Sequence, residues 1–169
     1  MVDLTPSEKL QPCLLDRLTD DEPHKEQEGR SKRVMGTQQY RRAVMRDLTW
    51  LLNTHADANL SGYDEYDEIP SSVLNYGVEN VAGKTSSSLG IDDMQYRLGE
   101  ALRRFEPRII PNTVSITMNM DPGEMSGRAL QFVIRGDLWT QPIPESLFIK
   151  TELDLETGKS NLDWGGSGG

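Results

Sequence analysis

The chain is poor in the side chains that most often carry chemistry. Its 169 residues include one cysteine, Cys13, and two histidines, His24 and His55. A lone cysteine leaves nothing for an internal disulfide or a thiolate zinc site. Two isolated histidines make a metal cluster an unfavoured expectation, and neither lies in a motif that would supply a base to a serine or cysteine nucleophile. Aromatic residues are only 7% of the chain, hydrophobic residues 36%. No apolar run approaches the length of a membrane span, and no charged segment leads into a short apolar one as in a secretory signal, so the expectation is a cytoplasmic protein. Positive charge is also short. There are 18 Lys and Arg against 27 Asp and Glu, a formal charge of −9. That balance speaks against a nucleic-acid partner or an anionic membrane surface, and fits either solubility or docking onto a basic protein surface.

What is present is amphipathic pattern. Residues 1–36 are polar and charge-rich, with one leucine cluster at Leu14, Leu15 and Leu18. They read either as a disordered tail with a chance leucine cluster or as a flexible segment whose leucines dock on a partner and order on binding, followed by a solvated linker over 24–36. From Thr37 to about Thr54, Tyr40, Val44, Leu48, Leu51 and Leu52 recur at helical spacing. Arg41, Arg42 and Arg46 lie off that stripe, as a solvated basic face or a contact for acidic neighbours. Residues 55–70 read as an acidic loop without the spacing of a calcium-binding hand. Ser71 to Gly77 reads as a short capped turn closed by glycine. Gly83-Lys84-Thr85 ends like a phosphate loop, but Val78 stands where its first glycine is required, so no nucleotide site is expected.

A second helix follows, capped by Asp92 or Asp93, with Met94, Leu98, Ala101, Leu102 and Phe105 on one face. Three alternating segments come next. Val114, Ile116, Met118 and Met120 form the first apolar set, and Leu130, Phe132, Ile134 and Leu138 the second. Leu147, Ile149, Leu153 and Leu155 form the third. Turns are expected at Asp121-Pro122-Gly123 and at Gln141-Pro142-Ile143-Pro144. Clean alternation marks strands with one buried and one wet face. The expected fold is α+β: an antiparallel sheet of three or four strands covered on one face by two amphipathic helices. Residues 37–158 make this single domain, and 159–169 have the composition of a flexible Gly/Ser-rich tail.

The junction Phe105-Glu106-Pro107-Arg108 stands out. Proline has no N–H to donate and disfavours helix at the residue before it, so the helix stops there. Glu106 then faces the negative end of the helix dipole, a locally unfavourable place. Arg108, two residues on, favours a salt-bridging or partner-binding carboxylate over a general acid. Whether the pair closes internally or on a partner stays open at this level.

Four pieces occur in a specific order: Leu14-Leu15-Asp16-Arg17-Leu18, Arg46-Asp47-Leu48-Thr49-Trp50-Leu51-Leu52-Asn53, Ser72-Val73-Leu74-Asn75-Tyr76-Gly77, and Phe105-Glu106-Pro107-Arg108. In this the chain resembles the wedge subunits of contractile phage tails. Within them it is similar to the TssE-type baseplate subunits of bacterial type VI secretion systems, sometimes labelled lysozyme-like. The likeness spans roughly residues 10–156, and the glutamate-proline-arginine triplet is its hallmark. The resemblance implies a structural role without turnover or cofactor, in the baseplate at the cytoplasmic side of the inner membrane. It implies wedge partners (TssF, TssG, TssK) and sheath partners (TssB, TssC), the latter recruited by strand addition to the sheet. It points to Glu106, Pro107, Arg108, Leu14, Leu15 and Leu18 as partner-binding residues. The alternatives are a peptidoglycan hydrolase, as the lysozyme-like label suggests, and a small regulatory adaptor of the same fold.

Overall fold

The computed structural model describes residues 10, 12–19, 24, 35–56, 66–83, 90–118, 129–140 and 143–165. The expected turn at Asp121-Pro122-Gly123, the linker over 25–34, Lys84-Thr85 and the glycine-rich 166–169 lie outside them.

The described residues include three α-helices, α1 (Leu14–Leu18), α2 (Thr37–Asn53) and α3 (Ile91–Phe105). The apolar stripe of α2 is buried as its spacing requires, at Tyr40, Val44, Leu48, Leu51 and Leu52, with Ala43 filling the gap between turns. On α3, Ala101 and Leu102 are buried together with Gly99, and Leu98 and Phe105 pack against the same core. The start of α3 differs from expectation. Gly90 is its cap residue, and Asp92 and Asp93 sit inside the first turn. There they face the positive end of the dipole, a favourable place for acids without a capping bond. Asp93 instead accepts from Arg97 Nε (2.8 Å), one turn further on.

Four strands form one antiparallel sheet, β3 (Ser115–Met118), β4 (Ala129–Leu138), β5 (Glu145–Asp154) and β6 (Ser160–Trp164), in that order across the sheet. The inward residues are the expected alternates: Leu130, Phe132, Ile134 and Leu138 on β4, and Leu147 and Ile149 on β5. Fully burying side chains of this size is worth about 1.5–3 kcal/mol each, so this layer and the equally buried stripe of α2 both contribute heavily to stability. The fold is α+β, with α2 lying over β6 and α3 over β3.

Two features depart from the sequence expectation. Residues 160–164, assigned by composition to a tail, form β6 and pair with β5 from Leu153↔Ser160 to Ile149↔Trp164. The alternation of Ser160, Leu162 and Trp164 was hidden by the glycines that follow. A second, parallel pair joins β1 (His55–Ala56), at the start of the segment read as an acidic loop, to β2 (Val78–Glu79), just past the expected turn. Gly77 makes this approach possible. Its φ is 127°, and a Cβ there would stand 2.3 Å from the Thr54 carbonyl oxygen. Only glycine fits both the dihedral and the space.

Two described residues of the first 36 reach the core. Leu10 is buried within it, and Met35 N–H donates to Leu10 O (3.0 Å).

Candidate functional site

The junction after α3 is laid along the end of β4. Ile110 N–H donates to Asp137 O (2.8 Å) and Trp139 N–H to Arg108 O (2.7 Å). Ile109 is thereby driven into the core, and Gly136 leaves room for it, since a Cβ there would stand 3.1 Å from the Ile109 side chain. Pro107 donates no N–H, so α3 ends at Phe105 with Glu106 as its cap, whose own N–H still bonds Leu102 O (2.9 Å).

Held this way, Glu106 turns inward. Its side chain is only 4% exposed. Arg108 closes on it as a fork: Nε donates to Oε1 (2.6 Å), Nη2 to Oε2 (2.5 Å), and the Arg108 backbone N–H adds a third bond to Oε1 (3.1 Å). Both carboxylate oxygens are occupied from within the chain. A bidentate, charge-assisted pair of this kind is among the stronger side-chain interactions.

The pair is one end of a longer chain of charges. Arg108 Nη2 also donates to Asp47 Oδ2 (2.6 Å). Asp47 Oδ1 accepts from Arg46 Nε (2.7 Å), and Arg46 Nη1 donates to Asp16 Oδ1 (2.7 Å). The order Glu106, Arg108, Asp47, Arg46, Asp16 alternates in sign throughout. It ties the end of α3 to α2, and α2 to α1. The Arg46 guanidinium also stacks over Trp50, 5.1 Å from the ring centroid.

The electrostatics follow from this arrangement. Burial works against the Arg108 charge, but Glu106 and Asp47 outweigh it and hold its pKa above the ordinary arginine value. Hydrogen bonding to Asp47, and then to Asp16, does the same for Arg46. Burial raises Asp16, yet bonds from Cys13 and Arg46 more than offset it and leave its pKa below the ordinary 3.8. Burial also lifts the phenol of Tyr40, whose hydroxyl donates to Trp139 O (3.0 Å) beside the junction.

The residues singled out by sequence therefore separate into two groups. The polar ones, Asp16, Arg46, Asp47, Glu106 and Arg108, are joined inside the chain. The leucines of α1 are not: Leu14 is 72% and Leu18 74% exposed, Leu15 less so. The polar side of α1 is what binds it to α2, through Asp16, while Asp16 also accepts from Cys13 N–H (3.3 Å) and Sγ (2.9 Å) at the helix start. The leucine surface is thus already displayed on a formed helix. Of the three off-stripe arginines of α2, Arg46 and Arg41 take acidic neighbours, Arg41 pairing with Glu145 on β5.

Sequence reasoning missed Val73 and Leu74. Both lie on a 3-10 turn (Val73–Asn75) capped by Ser72 Oγ, which accepts from Leu74 N–H (3.2 Å), and both are exposed. The next residue but one, Tyr76, points back and meets Phe105 edge-on at 5.2 Å. A turn too short to have a buried face could have flagged its two apolar residues as outward. Among the described residues no group of three or more His, Cys, Asp or Glu is placed to hold a metal ion. No described helix is long and apolar enough to cross a membrane.

The fold and the site define a small α+β protein whose polar centre is an alternating chain of charges that ties its helices to its sheet. Residues 38–143 match the family described as baseplate wedge protein gp25, and the chain belongs to that family. The match contains Arg46, Asp47, Glu106 and Arg108, whereas Asp16, β5 and β6 lie outside it. Comparison with curated proteins and with solved structures gives no match.

Proposed function

We propose that this chain is a structural baseplate component of a bacterial type VI secretion system, docking on the wedge core and templating the first ring of contractile sheath. It works without catalytic turnover and sits at the cytoplasmic side of the inner membrane. Membership of the baseplate wedge family carries the reading. The proposed role divides the labour within the chain. The charge chain holds the scaffold, and the exposed leucines of α1, with Val73 and Leu74, supply contact surface for wedge-core subunits. The sheet offers edge strands to which sheath segments add by main-chain pairing.

In this reading Glu106 and Arg108 act through the scaffold. Docking a partner directly on them would require oxygens that the internal fork already occupies. The test is reconstitution. The purified chain is mixed with wedge-core subunits and then with sheath subunits. Complex formation is followed by size-exclusion chromatography, and sheath growth by electron microscopy. The expected result is a stable wedge complex that starts sheath. Failure to bind either set overturns the proposal. Sustained clearing of purified cell wall by the same preparation would replace it with the hydrolase reading.

A further inference from the structure

We infer that Asn53 is a built-in stop on the edge of β6, fixing where an added strand begins. The inference rests on the strand-addition part of the function proposed above. The phase of the β5–β6 ladder comes from its turn, where Asp154 N–H donates to Lys159 O (2.9 Å). Neighbouring pairs in an antiparallel ladder alternate between hydrogen-bonded and not. Ser160, opposite Leu153, therefore directs its N–H and C=O away from β5. The two-residue period gives Leu162 and Trp164 the same orientation.

At Ser160 both outward groups are taken by one side chain. Ser160 N–H donates to Asn53 Oδ1 (3.0 Å), and Asn53 Nδ2 donates to Ser160 O (2.9 Å). The same Nδ2 donates its other hydrogen to Thr49 O (2.9 Å), which fixes the amide against the last turn of α2. A carboxamide has the donor and acceptor of a peptide group. Asn53 thus stands where the first peptide of a fifth strand would stand.

Pairing by a partner is left to Leu162 and Trp164. Their side chains pack against the core on the inner face, while Asn161 and Asp163 are exposed on the outer one. The occupant that fits is an extended segment of another protein. It carries apolar residues at alternate positions beside Leu162 and Trp164, and a basic residue beside Asp163. Because a one-residue slip would reverse its faces, a fixed start gives a fixed register.

The experiment is amide hydrogen exchange by NMR on the full chain, in the wild type and in Asn53→Ala and Asn53→Asp. Each is measured alone and with millimolar acetylated, amidated peptide of alternating valine and lysine. In the free protein Ser160 N–H should exchange on the order of tenfold faster in Asn53→Ala, the loss of about one hydrogen bond. Asn53→Asp, which keeps the acceptor, should fall between. With peptide, the wild type should gain protection at Leu162 and Trp164 alone, and Asn53→Ala should regain it at Ser160 as well. Equal Ser160 exchange in the free proteins overturns the inference. So does the same bound pattern in both proteins, or no gain of protection in either.

Leu162→Pro compared with Leu162→Ala separates this from the underlying reading. Both variants lose the side chain, but only proline removes an outward N–H, and the β5 ladder is unaffected. Sheath subunits that bind both variants alike sink strand addition at β6 whatever Asn53 does. Selective loss in Leu162→Pro, with no change in register on Asn53→Ala, sinks the stop alone.

Discussion

Replacing Glu106 by Ala removes the acceptor of three hydrogen bonds, from Arg108 N, Nε and Nη2. The carboxylate is buried, and the guanidinium left behind is largely so. Breaking a buried ion pair from one side costs about 3–5 kcal/mol, mostly through the charge that stays without its partner. Here Asp47 still holds Arg108 Nη2, which places the expected loss near the lower end, about 3 kcal/mol. With a urea slope of about 2 kcal/mol/M, the unfolding midpoint should fall by about 1.5 M. The melting temperature should fall by roughly 6–12 °C. Glu106→Gln keeps the shape and one acceptor, so it should lose about half as much. Replacing Glu106 and Arg108 together by Leu and Met should recover part of the loss, because no charge at the junction is then left single-sided. The assay is equilibrium urea unfolding followed by circular dichroism, with the slope checked for constancy. A Glu106→Ala midpoint within about 0.3 M of wild type would refute the reasoning. The fork would then contribute little to stability, and the acid at the end of α3 would need another explanation.

Three further outcomes follow from single sites. The pKa of Asp16 is lowered by folding, so its contribution to holding α1 is complete above pH 3.8 and is lost as pH falls through the lower folded value. Proteolysis within α1 should therefore accelerate below pH 3.8 in the wild type, while Asp16→Asn should show the fast rate already at neutral pH. Gly77→Ala should lose at least about 2 kcal/mol in urea unfolding, because a Cβ collides with the Thr54 carbonyl and φ is positive. Thr151 is buried between β4 and β6, and its hydroxyl has no hydrogen-bond partner. Thr151→Val should therefore raise stability by about 0.5–1 kcal/mol, and a loss of that size would contradict the packing described here.

The sheet and the helices were legible in sequence because their signals are periodic. Tyr40 to Leu52 and Leu98 to Phe105 repeat at helical spacing, and the inward residues of β4 and β5 alternate. Each pattern has one buried face, so the pattern and the fold carry the same information. The elements that escaped are those whose cause lies elsewhere in the chain. β6 is a strand because β5 offers it an edge, and β1 and β2 exist because Gly77 lets two short segments touch. The site was half legible. The oddity of Glu106 at a helix end, and Arg108 two residues on, could be seen locally. That Asp47 and Arg46 continue the pair to Asp16 could not, since the contacts join residues far apart in sequence. The α1 leucines were singled out as a docking surface, but what holds their helix was equally hidden. A five-residue helix carries too short a pattern to say which side is held, and the answer lies in one ion pair with α2.

The central claim is that the charge chain faces inward and holds the scaffold, while the leucines of α1 face outward and hold the wedge. Its most direct test is a paired measurement on Leu14→Ala with Leu18→Ala: melting temperature and affinity for wedge-core subunits, on the same preparation. Both side chains are mostly solvent-exposed, so melting should stay within about 2 °C of wild type, while wedge binding should weaken on the order of tenfold or more. A variant that binds as wild type does, or one that melts well below it, would contradict the account.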